Sequence, residues 1–346
     1  MRILLIRNDK LGDFISSLPA CQILKSAHPG FKLTMLVNSY TCDLARACMM
    51  IDDVLVDQPA MGWLKDIKQL TKLVQKNIYD AVITLFSTTR VGLAVRRANI
   101  PYRLAPATKL AQIFYNHRLT QRRSRSEKPE FEYNLELVRK FLIDQGVRDI
   151  PEPQPPFLSF DPDQITKLRQ LFCRQHAIDP AHKLLFVHPG HGGSANHLTL
   201  QQYKELIENI SPAQPFTIIL SAGPDELNLI NTLSDLIPDI PHVIYHSTNG
   251  LVKFAQHIAF ADVFIAGSTG PLHIAGALNV PTAGFYTRRR SATALRWQTL
   301  NSPERRLAFS PPLCAREEDM TSIDVAAAAR DINRHFLQPD VSSSPP

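Results

Sequence analysis

Val263-Phe264-Ile265-Ala266-Gly267-Ser268-Thr269-Gly270-Pro271-Leu272-His273-Ile274-Ala275-Gly276-Ala277-Leu278 lies in the least polar long stretch of the chain. Its Gly, Pro, Ser, Thr and His content argues against a membrane span. It reads instead as a buried strand ending at Ala266, a turn of small residues, and a helix with Pro271 in its first turn. Working outward, the same pattern recurs. Short apolar runs at 184–187, 217–220, 242–245 and 282–285 surround it, and others at 3–6, 33–37, 54–56 and 81–85 fill the first half. Helix-length amphipathic stretches lie between them. In 63–75, for example, Leu64, Ile67, Leu70, Leu73 and Val74 share one face. Strands alternating with helices predict an α/β protein with parallel sheets covered on both faces.

Pro151-Glu152-Pro153-Gln154-Pro155-Pro156 can neither continue a helix nor enter a sheet interior, so it reads as a stiff linker. Asp161-Pro162 then resembles an N-cap followed by proline, opening a helix to about Gln175. The expected organisation is one domain over 1–150, a linker over 151–162, a second domain over 163–337 and a disordered tail over 338–346. The last helix is placed at 322–336. Two similar α/β domains would turn their strand C-termini toward a shared cleft, where such sheets bind ligands.

Apolar residues make up 44% of the 346, enough for each half to bury a core. Five cysteines, an odd number with no Cys-x-x-Cys, argue against a disulfide framework and for a reducing compartment. The apolar run 3–6 ends at Arg7 and is too short for a signal peptide. The expectation is a cytoplasmic protein. The net charge of +6 is modest, but its distribution is uneven. Arg96, Arg97, Arg103, Lys109, Arg118, Arg122, Arg123, Arg125 and Lys128 face the single acid Glu127 within one segment. That segment is either a solvated surface or a site for a polyanion.

Four places could carry chemistry, each just after a predicted strand. Asp13 follows Arg7-Asn8-Asp9-Lys10-Leu11-Gly12, which lacks the Gly-x-Gly-x-x-Gly dinucleotide signature. It reads as a helix N-cap or as a general base. His188-Pro189-Gly190-His191-Gly192-Gly193-Ser194 packs three glycines into four residues, so its backbone could approach an anion closely, or the loop could simply be flexible. The histidines His188, His191 and His197 match no common zinc spacing. Ala222-Gly223-Pro224-Asp225-Glu226 offers carboxylates for ribose hydroxyls or for capping. At Ser268, Thr269, Gly270, Pro271 and Leu272, free N–H groups meet a helix dipole, which suits a diphosphate. His273 would lie near that ligand or pack in the core, while Gly276 and Ala277 allow close helix–sheet packing. Asp161-Pro162-Asp163 is explained by capping.

These residues resemble the family-nine glycosyltransferases, the lipopolysaccharide heptosyltransferases. The resemblance rests on Met1-Arg2-Ile3-Leu4-Leu5-Ile6-Arg7 leading to Leu11-Gly12-Asp13 and Leu18-Pro19-Ala20. His188-Pro189-Gly190 with Gly192-Gly193-Ser194, Gly223-Pro224-Asp225-Glu226 and Ser268-Thr269-Gly270-Pro271-Leu272-His273 follow in the family's order. Tyr115-Asn116-His117-Arg118 and Tyr133-Asn134-Leu135 are also similar. The resemblance implies a GT-B fold of two Rossmann-like domains facing a central cleft. It also implies an ADP-heptose donor on the second domain, inversion without a metal or cofactor, and Asp13 as the general base. Two departures bear on the donor sugar. Ser268 stands where some relatives have aspartate, and Asn196-His197 stands where many carry a lysine or arginine. Arg288, Arg289 or Arg290 could supply the missing charge.

The reading is therefore an inverting heptosyltransferase. Its donor would be held by His188, Gly190, Gly192, Gly193, Ser194, Asp225, Glu226 and the turn from Ser268 to His273. Its partner would be an anionic glycolipid at the inner face of the cytoplasmic membrane, contacted by Arg118, Arg122 and Arg123, with no role for nucleic acid. The rivals are a GT-B-like sugar-nucleotide epimerase and a non-catalytic nucleotide- or polyanion-binding protein. The sequence leaves the oligomeric state open.

Overall fold

The computed structural model describes residues 1–107, 110–190, 192 and 196–338. The chain divides into two units, Met1–Leu158 and the remainder from Ser159.

The first unit holds strands β1 (Arg2–Ile6), β2 (Lys32–Asn38), β3 (Asp53–Asp57), β4 (Ala81–Thr84), β5 (Tyr102–Pro106) and β6 (His117–Leu119). Between them lie α1 (Leu11–Ile15), α2 (Leu18–Ala27), α3 (Cys42–Ala47), α4 (Trp63–Val74), α5 (Thr89–Arg97) and α6 (Glu130–Asp144). The strands pair in parallel in the order β3-β2-β1-β4-β5-β6. β1 is apolar on both faces because both are covered. Leu4 and Ile6 pack with Leu70, Val74, Val91 and Val95 of α4 and α5. Ile3 and Leu5 alternate to the opposite face. Strand order reverses between β1 and β4, and an α/β sheet opens to ligands at such a point.

The second unit repeats this plan. Its strands are β7 (Lys183–His188), β8 (Phe216–Ala222), β9 (His242–His246), β10 (Val263–Gly267), β11 (Thr282–Phe285) and β12 (Arg306–Phe309). Its helices are α7 (Pro162–Gln175), α8 (Leu200–Glu208), α9 (Leu227–Leu236), α10 (Leu251–Ile258), α11 (Gly270–Ala277) and α12 (Val325–Ile332). The parallel order is β12-β11-β10-β7-β8-β9, so the reversal falls between β7 and β10. One face packs Val187, Ile218, Val263 and Phe285 against Tyr203, Leu206, Ile230 and Ile332. The other is aromatic, with Phe172, Phe186, Phe260 and Phe264 in contact. Asp161 accepts from the Gln164 N–H at 2.9 Å, so the expected cap of α7 is present.

All nine predicted strands are there, but β5, β6 and β12 were not anticipated. The polar residues of β5 and β12 and the brevity of β6 hide them, and β6 and β12 are sheet edges. The final helix stops at Ile332 and continues as a wider turn over Asn333–Leu337. The tail from Pro339 lies outside the described residues.

Candidate active site

Chemistry-bearing side chains collect at both reversal points. In the first unit the centre is Arg7, directly after β1, which is 2% exposed despite its charge. Its Nε donates to Asp9 at 2.9 Å and its Nη1 donates to Glu130 at 3.0 Å and to Asn134 at 3.2 Å. Its Nη2 donates to Asp13. The Phe86 ring lies 5.8 Å from the guanidinium carbon. Burial works against the Arg7 charge, but Asp9, Asp13 and Glu130 outweigh it and raise its proton affinity above the usual. Burial also pushes the Asp9 carboxyl up to about 6, with the Asp13 charge adding to the rise and Arg7 opposing it.

Asp13 is not the cap of α1. That place belongs to Lys10, and Asp13 lies in the first turn with its carboxylate on Arg7. Its side chain remains 15% exposed. Asn134 ties this network to α1 by donating to Ser16 O at 3.0 Å. A second buried network adjoins it. Asn8 donates to Asp57 at 2.5 Å, Arg90 makes two 2.7 Å bonds to Asp57, and Arg90 also donates to Asp66 at 2.8 Å.

The basic segment is not one uniform surface. Arg118 and Arg122 are exposed. Arg123 is only 13% exposed and donates to Glu130 at 2.9 Å, to Gln121 at 3.1 Å and to Asn134 at 3.4 Å. The buried Glu130 draws it inward, so Arg123 belongs to the Arg7 network rather than to an open cationic face. Arg103 donates to the carbonyls of Ile100 and Phe114 at 2.5 and 3.1 Å. It borders a cleft of about 510 Å³ with Leu93, Arg96, Arg97 and Asn99. Since α5 runs back from the end of β4, that cleft lies at the sheet end remote from Arg7. Lys109 lies outside the described residues.

In the second unit, His188 ends β7 and is buried. Its Nδ1 lies 3.1 Å from Ser221 Oγ and its Nε2 3.6 Å from Glu226. Burial lowers its pKa, and Glu226 resists only in part. The Glu226 side chain makes no capping bond to α9. Its carboxylate accepts from Gly223 N at 2.9 Å and from Gly192 N at 3.3 Å. It rests on Gly190, where a Cβ would meet its oxygens at 2.0 and 2.4 Å. A side chain there would force the Glu226 carboxylate to move. The described part of the expected anion nest therefore holds the chain's own carboxylate. Asp225 is exposed. His191, Gly193 and Ser194 lie outside the described residues.

β10 ends beside β7, with Ala266 in register with His188. Thr269 caps α11 by position but its side chain accepts no N–H from it, and its buried Oγ1 has no partner among the described residues. The Ser268 N–H goes to Phe285 O at 3.0 Å, and Pro271 has none. That narrows the expected donor set of the turn to Thr269, Gly270 and Leu272. His273 is buried with its ring edge-on to Trp297 at 5.9 Å. Burial lowers its pKa to about 4, so it is neutral at neutral pH. Gly276 packs closely, since a Cβ would lie 2.7 Å from Thr299 Cβ. Arg288 donates to Ala315 O at 2.5 Å and Arg289 pairs with Glu318 at 3.2 Å, while Arg290 is exposed. Among the described residues, no three His, Cys, Asp or Glu side chains form a metal-sized group.

Reading outward from Asp13 missed Arg7 as the hub, along with Glu130 and Asn134. Arg7 itself carried a signal, because an arginine ending an apolar strand must find anions once buried, but nothing local marks Glu130 or Asn134 as its partners.

The fold is similar to that of E. coli ADP-heptose lipopolysaccharide heptosyltransferase II, at 15% identity and a TM-score of 0.76 over 97% of this chain and 99% of that one. It is also similar to an E. coli heptosyltransferase solved with ADP, at 18% identity and a TM-score of 0.73 over 97% and 100%. The fold class is thus GT-B. Residues 67–303 match the family described as glycosyltransferase family 9 (heptosyltransferase). A Haemophilus influenzae protein provisionally named a glycosyltransferase is 44% identical over 94% of this chain and 95% of its own. The chain belongs to glycosyltransferase family 9. Membership makes it a glycosyltransferase and sets aside the epimerase and the non-catalytic binder.

Proposed function

We propose that this chain transfers a heptose from ADP-heptose to a hydroxyl of the lipopolysaccharide core, with inversion and without a metal, in the cytoplasm. The observation that carries the reading is Asp13. Its carboxylate stands at the C-terminal end of β1, is partly open to solvent, and is held by Arg7 instead of capping a helix. In the reaction the acceptor hydroxyl loses its proton to Asp13 as its oxygen bonds to the anomeric carbon. The bond from that carbon to the diphosphate breaks, and ADP departs with the electron pair.

The turn before α11 supports the leaving-group part. Its open N–H donors, the helix dipole and the unpartnered Thr269 hydroxyl suit a diphosphate gaining charge. Preorganised donors of this kind contribute about 3–4 kcal/mol each to a transition state. ADP as the nucleotide is supported by the two E. coli enzymes of this fold, whose descriptions carry ADP-heptose and ADP. Ribose contacts are assigned to Asp225 and Glu226, the latter after leaving Gly192. Arg118 and Arg122 are assigned to the acceptor's anionic groups.

The test is incubation with ADP-heptose and a truncated lipopolysaccharide core, read by product mass. The expected product is one heptose heavier and forms in the presence of EDTA. Calorimetric binding of UDP but not ADP, or loss of activity to EDTA with rescue by Mg²⁺, would overturn the donor or the metal-free part.

A further inference from the structure

We propose that α4 and the loop before it form a docking surface for an anionic phospholipid bilayer. Met61, Trp63 and Leu64 stand out at the N-terminus of α4 with 93%, 58% and 68% of their surface exposed. Three adjacent large apolar side chains in solvent are an unusual tip for a helix whose other apolar residues are packed inward. Lys65, Lys68, Lys72 and Lys76 follow and are all exposed. At 100° per residue they centre on the side opposite Ile67, Leu70 and Val74, which pack inward. None of the four lysines makes an ion pair with any described residue. The only acid of α4, Asp66, faces inward to Arg90.

The exposed face is thus a row of unpaired cations ending in an aromatic and aliphatic tip. Charge complementarity selects an anionic partner. The tip selects one with an apolar interior beneath its charges, which a bilayer offers and a nucleic acid does not. Trp at the headgroup boundary is the preferred side chain for such a tip.

The tip is joined to the site. Asp66 accepts from Ala60 N at 3.0 Å and from Arg90, Arg90 holds Asp57, and Asp57 holds Asn8, next to Arg7. Docking at α4 would place the strand ends of the first unit at the membrane surface. This orientation rests on the proposed lipid-borne acceptor, whereas the docking itself does not.

The test uses vesicles of phosphatidylcholine alone and of phosphatidylcholine with phosphatidylglycerol. The full chain should float with the second kind only, and Trp63 emission should shift to the blue. Replacing Lys65, Lys68, Lys72 and Lys76 by Gln should weaken binding by roughly a hundredfold or more at low salt. The double substitution M61S/L64S should weaken it and reduce the blue shift. Urea unfolding of the first unit should be unchanged in both variants, which shows that it folds, and ADP affinity should be unchanged as well. Equal binding to neutral vesicles, undiminished binding of the lysine variant, or preference for duplex DNA over vesicles would overturn the proposal. Vesicle binding without heptose transfer would overturn the transfer reading and leave the docking surface standing. Transfer to a soluble core without vesicle binding would do the reverse.

Discussion

Removing the Arg7 side chain would leave Asp9, Asp13 and Glu130 without their common cation, and Glu130 is buried. Stranding buried charge costs about 3–5 kcal/mol, so Arg7→Met should lower the first unit's stability by that order in urea unfolding. Arg7→Lys should recover little, because one ammonium cannot reach partners spread around a planar fork. Asp13→Asn asks a different question. Arg7 would keep Asp9 and Glu130, so the melting temperature should stay near the parent's. The amide cannot take a proton, and kcat should fall by about 10²–10⁴ with ADP affinity intact. Because Lys10 occupies the cap position, retained activity could not be credited to asparagine's capping ability, and the base would then have to be another group.

At the scale of elements, the turn between β10 and α11 should show opposite signs for stability and binding. The buried Thr269 hydroxyl has no partner among the described residues, and an unsatisfied buried hydroxyl costs about 1–3 kcal/mol. Thr269→Val removes that hydroxyl at nearly constant shape. The unliganded protein should melt at the same temperature or higher, while ADP binding weakens by about fivefold to tenfold, the worth of one hydrogen bond. Melting and calorimetry on one sample would check both signs, and unchanged ADP affinity would place the diphosphate elsewhere. Gly190→Ala should act through contact, since its Cβ would overlap the Glu226 carboxylate. Moving Glu226 would release the Gly192 N–H, so stability should drop by roughly 1–3 kcal/mol in denaturant unfolding.

At the scale of the molecule, acid should act unequally on the two units. Burial lowers the pKa of His188 and His257, and of His273 to about 4. For a base with a depressed native value, the unfolded chain binds more protons in the window between about 4 and about 6.5, so stability is lost as pH falls through it. His273 alone would withdraw about 3 kcal/mol once the pH is below both values. Asp9 has the opposite sign, because its native value is raised to about 6 and protonation favours its folded form. The second unit should therefore unfold before the first as pH falls from about 7 toward 4, seen as two calorimetric transitions drawing apart. His273→Phe should flatten the acid dependence of the second unit. A parent protein whose two transitions move together would contradict this.

Much of this was legible in the sequence. Continuous apolar runs such as Ile3–Ile6 and Val263–Ala266 can only be strands covered on both faces, and helices between them force parallel pairing. The strand ends then carry the chemistry, because strand order reverses beside Arg7 and beside Ser268. Asp161-Pro162 announced its helix, since a cap needs only its neighbours. Local rules stop at contacts between residues far apart in the chain. The Arg7–Glu130 bond spans 123 positions, the Gly192–Glu226 bond spans 34, and neither has a local signature. Arg123, counted among the surface cations by sequence, turns inward although its carboxylate partner Glu130 is only seven positions on, because burial of Glu130 draws the guanidinium to it. Hydrophobic periodicity and turn chemistry determined the architecture of this protein. The partners of its charges were decided by tertiary structure, because a buried charge takes its counter-charge from whatever the fold places within about 3 Å of it.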